Sequence, residues 1–152
     1  MIIISTAGPK EKAERRNALS FRRTFYWIAL ADFTDSSHQQ ALAVTRERAT
    51  SPLVTTDEVL TEFLTFFAGA PEPVRRGAWE TVRAILATPA IRVIPQSRGS
   101  FLAGLDLYTQ RPDKRYSLTD CISMQIMRRE GLADVLTNDR HFEQEGLRAL
   151  FR

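Results

Sequence analysis

Two hydrophobic periods alternate along this chain, and the alternation leaves few folds open. Short β-type runs at residues 19–24, 52–56, 90–95 and 134–137 are separated by stretches of helical spacing, and a short helix or turn and a last strand end the chain. Parallel strands need a crossover long enough to hold a helix, so this order specifies an α/β domain with a mostly parallel sheet. Right-handed crossovers cover both faces with helices, giving a three-layer α/β/α arrangement.

The helix signals are local. Ser36 or Ser37 opens a helix that runs to about residue 49. Thr55 and Glu58 have capping-box spacing, and Val59, Leu60, Phe63, Leu64 and Phe67 form an apolar stripe behind them. Gly69 and Pro71 end that helix. The next, 73–89, is expected to turn Val74, Ala78, Val82, Ile85 and Leu86 inward; another spans 100–110. Ser117 caps the last long helix and Gly131 closes it. Residues 10–17 read as a charged arm or short helix, and Arg22 and Arg23 interrupt the strand at 19–24. Phe25, Tyr26 and Trp27 read as core.

A chain of 152 residues is one domain that can bury a core without staples. No apolar run approaches the roughly 20 residues of a membrane span. The single cysteine, Cys121, excludes an internal disulfide and a cysteine-rich zinc site, and fits a reducing, cytoplasmic compartment. Residues 1–23 hold six basic side chains against two acidic ones, +4 of a net +3, so the rest of the chain stands at −1. An electrostatic argument for nucleic acid therefore rests on the N-terminal segment or on local patches. Arginine outnumbers lysine 18 to 3, which suits bidentate phosphate contacts and equally reflects a compositional bias.

Three carboxylates sit where a parallel sheet gathers its ligands, beyond the carboxyl ends of the strands. Asp139 follows the strand at 134–137, Asp120 lies in the first turn of a helix, and Glu62 flanks the apolar stripe of another. Each also has a plainer reading. Asn138–Asp139 is a good turn pair. Ser117-x-x-Asp120 is a helix cap, and an acid there suits the helix dipole. Glu62 has Glu58 and Phe66 four residues away and no basic partner at that spacing, yet flank acids are mostly solvated. Carboxylates without histidines suit a hard divalent ion rather than zinc. His38 and His141 lack ligand spacing and read as exposed or supporting, and Cys121 as a buried helix residue. No glycine-rich phosphate loop or serine-hydrolase elbow is present.

The stretches TFYWIALADFTDSSHQQAL, LVTTDEVLTEFLTFF and YSLTDCISMQIMRREGLADVLTNDRHFEQEGL resemble PIN domains, specifically the VapC-like toxin ribonucleases, over residues 24–152. The resemblance implies a PIN-like three-layer fold and a metal-dependent endoribonuclease, the toxin of a toxin–antitoxin pair. It implies Glu62, Asp120 and Asp139 as catalytic acids holding Mg²⁺ or Mn²⁺, with Thr24, Thr119 and Asn138 in support. RNA is then the substrate, a small antitoxin protein the partner, and a homodimer the assembly. Residues 1–23 stand apart as an atypical segment. The family's first strand ends in an aspartate followed by Thr or Ser, and this chain has Arg23–Thr24 there. A shifted reading frame upstream of Thr24 produces such a departure. The alternative function is a catalytically disabled PIN-like protein that binds RNA or an antitoxin.

Overall fold

The computed structural model describes residues 19–151. Five parallel strands form the sheet: β1 (Ser20–Arg22), β2 (Leu53–Thr56), β3 (Ile91–Ile94), β4 (Asp134–Leu136) and β5 (Arg148–Ala149), in the order β3-β2-β1-β4-β5. Helices flank it: α1 (Thr24–Ala31), α2 (His38–Glu47), α3 (Asp57–Phe66), α4 (Glu72–Ala87), α5 (Arg98–Gln110), α6 (Leu118–Arg129) and the single turn α7 (His141–Gln144). The expected α/β/α class with a parallel sheet is what the chain forms.

The middle strand comes from the atypical segment. Phe21 pairs with Val54 on one side and Val135 on the other, and all three are fully buried. Each such side chain contributes about 1.5–3 kcal/mol by leaving water. Arg22 continues the strand opposite Leu136, and its polarity does not break the ladder, because backbone pairing is indifferent to the side chain. The expected charged arm at 10–17 lies outside the described residues.

Sequence reading assigns no helix to Thr24–Ala31, yet α1 occupies that span. Its aromatic residues favour strands, and its apolar character is spread around the helix with no stripe to betray the period. Tyr26, Trp27 and Ala29 are buried, and Phe25 meets Phe151 edge to face with ring centroids 5.2 Å apart. The cap of α3 falls one residue later than its spacing suggests: Thr56 Oγ1 accepts the Val59 N–H at 3.2 Å, while the Thr55 hydroxyl donates to the Arg22 carbonyl at 3.0 Å. The Thr55 bond ties β2 to the end of β1. In α4 only Ala78 and Ile85 are buried; Val74 and Leu86 face out.

α5 and α6 approach through Gly104. A Cβ there meets the Ile122 side chain and comes within 3.0 Å of its backbone. Gly104→Ala is expected to cost about 1–3 kcal/mol through overpacking, although alanine favours the helix. A urea unfolding midpoint equal to or above wild type refutes this contact.

Candidate functional site

Helices that cross back over a parallel sheet start near the carboxyl ends of the strands. Four pieces of chain therefore converge beyond β1 and β4. Arg23 lies in extended backbone between β1 and α1, and Thr24 opens α1. Glu62 sits in the second turn of α3. Asp120 is in the first turn of α6, and Asp139 follows β4 just before α7.

Asp120 is fixed from two sides. The Ser117 N–H donates to its Oδ2 at 2.8 Å, and its own N–H donates to Ser117 Oγ at 3.1 Å, the reciprocal cap that the spacing implied. Its Oδ1 takes an ion pair from Arg23 Nη2. The same guanidinium donates through Nη1 to Ser123 Oγ at 3.1 Å and places Nη2 3.7 Å from Glu62 Oε2. Ser123 in turn donates to the Thr119 carbonyl at 2.7 Å. The Phe142 ring lies 5.3 Å below the guanidinium carbon, within cation–π range. Arg23 and Asp120 are both buried, with side chains 8% and 9% exposed.

Glu62 is the open member of the set, its side chain 37% exposed, and it accepts a hydrogen bond from the Thr24 hydroxyl. Asp139 Oδ1 accepts the His141 N–H at 2.9 Å and lies 3.1 Å from His141 Nδ1. Asp120, Asp139 and His141 each offer an atom within 4.8 Å of the others. Behind them Tyr116 tilts against the His141 ring at 5.1 Å and donates to Glu145 at 3.1 Å. Glu145 also receives Arg111 at 2.9 Å and Arg128 at 2.6 Å. Burial works to raise its pKa, but these donors together hold the carboxyl below its usual range. Burial likewise pushes the Tyr116 phenol up to about 12 and the Cys121 thiol to about 11, so both stay protonated.

The structure thus brings Glu62 and Asp120 together through one arginine, and Asp120 and Asp139 together directly. Thr24 touches Glu62; Thr119 takes part through its carbonyl; Asn138 lines a neighbouring cleft with Ser37, Arg140 and Phe151. His141, which reads as exposed or supporting in the sequence, stands beside two of the acids. Its position two residues after Asp139 was the available signal. Ser123, one turn beyond Asp120 on the same helix, was legible in the same way. His38 does not join them; its ring holds the Ala29 carbonyl at 2.7 Å.

A divalent ion between Glu62, Asp120 and Asp139 needs carboxylate oxygens free to face it. The Arg23 guanidinium already spans Glu62 and Asp120 and sets a fixed positive charge between two of the three acids. The residues present do not fit such an ion.

A family model described as "PIN domain" matches residues 24–145, starting directly after Arg23. No curated protein matches the chain. Among solved structures, the crystal structure of Mycobacterium tuberculosis VapC20, described as a sarcin–ricin loop cleaving toxin, superposes with a TM-score of 0.77 at 22% identity. The superposition covers 88% of this chain and 99% of that one.

Proposed function

The chain belongs to the PIN-domain family, and on that premise we propose that the crevice beyond β1 and β4 is an RNA phosphodiester site of the toxin-nuclease type. The observation that supports it is the convergence of Glu62, Asp120 and Asp139, from three separate elements, on one edge of the sheet. Three acids from separate elements meeting at one sheet edge, around a buried arginine, support a site there beside the capping role of Asp120. RNA is the substrate class, and a small antitoxin protein is the partner that such a toxin needs to be held silent. A second copy of the chain is the proposed assembly, and the cytoplasm the proposed compartment. Among the described residues no helix is long and apolar enough to cross a membrane.

Divalent ions of the family would supply an activated water and neutralise the leaving oxygen. Arg23 stands between Glu62 and Asp120, and hydrolysis through such ions does not follow from the residues present. The chain's own groups divide the remaining work. Asp120 and Asp139 set the negative potential, Thr24 orients Glu62, and Glu145 with Tyr116 holds the turn that carries Asp139 and His141.

The test is cleavage of single-stranded and structured RNA in Mn²⁺ against EDTA, for the wild-type chain and Arg23→Asp. Cutting by either protein, lost on adding Asp139→Asn, is the expected result. A loss of about 10²–10³-fold is the usual size for removing a group that stabilises transition-state charge. If neither protein cuts and both are folded, the nuclease reading fails. The second reading, the disabled RNA- or antitoxin-binding protein, is favoured by the Arg23–Asp120 ion pair. It gains support if only the variant cuts.

A further inference from the structure

We infer that Arg23 is a resident cation that takes the place of a divalent ion between Glu62 and Asp120, so that these two acids of the crevice are paired without metal. The inference concerns the same crevice and rests on the nuclease reading only for the identity of the ion displaced. Four contacts carry it. The guanidinium pairs with Asp120, donates to Ser123 Oγ at 3.1 Å, stands 3.7 Å from Glu62, and lies over the Phe142 ring at 5.3 Å. A surface arginine that strays toward an acid has one such contact and stays in water. This one is 7% exposed and is held by α3, α6 and α7 at once.

The chemistry follows from what a guanidinium can and cannot do. It offers a planar fork of donors and a permanent charge, so it neutralises carboxylates as an ion does. It has no open coordination position and cannot lower the pKa of a bound water. A divalent ion placed among the same oxygens meets a fixed positive charge a few ångströms away, which opposes its binding. Asp120 and Glu62 are therefore held without an ion, and the ion-dependent part of the chemistry is withheld.

Thermal unfolding in EDTA and in excess Mn²⁺ tests this, on the full chain and on Arg23→Asp and Arg23→Gln. Wild type is expected to melt at the same temperature in both. Both variants are expected to melt lower than wild type in EDTA and to rise by roughly 5–10 °C in Mn²⁺, the shift of a ligand at about a hundred times its Kd. The glutamine variant carries no fourth acid, so it reports even if Arg23→Asp does not fold in EDTA. A wild-type shift as large as the variants', or no shift in either variant, overturns the inference. The outcome separates from the cleavage assay. Variants that take up Mn²⁺ without cutting RNA leave Arg23's role standing and sink the nuclease reading; a wild-type chain that responds to Mn²⁺ and cuts does the reverse.

Discussion

Asp120→Ala is expected to destabilise the protein by about 3–5 kcal/mol, the range for stripping one partner from a buried ion pair. The sign is the informative part. In a bare acid cluster, deleting one carboxylate relieves repulsion and leaves stability unchanged or raised. Here the deletion orphans the Arg23 guanidinium, whose side chain is 8% exposed, and leaves it Ser123, the Phe142 ring and Glu62 at 3.7 Å. It also removes the acceptor of the Ser117 N–H, half of the cap of α6. Asp139→Ala is the control. Asp139's side chain is 34% exposed and its hydrogen bond is local, from the His141 N–H, while its backbone N–H to Thr137 survives the change, so a change within about 1 kcal/mol is expected. Urea unfolding of both variants decides it, and an Asp120→Ala loss of under about 1 kcal/mol would falsify the pair. A double-mutant cycle with Arg23→Met isolates the coupling, expected at the upper end of roughly 0.5–3 kcal/mol.

Arg22→Met is expected to stabilise the protein by about 1–4 kcal/mol, the opposite of the usual result of a core substitution. Arg22 is 1% exposed in the middle strand, and its Nε and Nη1 have no hydrogen-bond partner. Among the described residues no carboxylate pairs with it. Its compensation is Tyr26, whose ring lies 4.3 Å from the guanidinium carbon and whose side chain also hydrogen-bonds to it, and the nearby Arg48 adds like charge. Burial is the largest cause of a pKa pushed down from the ordinary guanidinium value to about 10. A shift of that size amounts to about 3 kcal/mol against the charged form. The sign is that of a depressed basic group. The native state sheds the proton before the unfolded chain does, so the penalty is full below about pH 10 and eases above it. Methionine keeps an unbranched stem, ends two atoms short of the guanidinium nitrogens, and removes the charge. Its flexible thioether can fill the same space between β1 and α1. A midpoint in urea at or below wild type overturns the prediction and shows that Arg22 is satisfied in the folded protein. Arg22 and Arg23 thus differ by one position and by everything that matters to stability. Strand alternation sends one into an apolar layer and the other, past the end of β1, into the acids.

Much of the fold was legible because its signals are local. Ser117 and Asp120 are three residues apart, and a cap at that spacing forms whatever surrounds it. The β-type runs at 52–56 and 90–95 became β2 and β3 with ends shifted by a residue or so. α1 was not legible, because a helix apolar on every side has no period to read and its aromatics suit strands as well. In α4 the expected inward stripe was only half used, since Val74 and Leu86 stay exposed while Ala78 and Ile85 are buried.

The sequence by itself determined an α/β domain, its order of elements apart from α1, and the placing of Glu62, Asp120 and Asp139 at starts and ends that a parallel sheet collects on one edge. It also showed an arginine where an acid was expected. Only the tertiary structure decided what that arginine does. Arg23 meets Asp120 across 97 residues of chain and Ser123 across 100, and no local pattern encodes a contact of that separation. Whether a buried charge is balanced depends on which side chains the fold brings within a few ångströms of it, because Coulomb attraction and desolvation both act through space and not along the sequence.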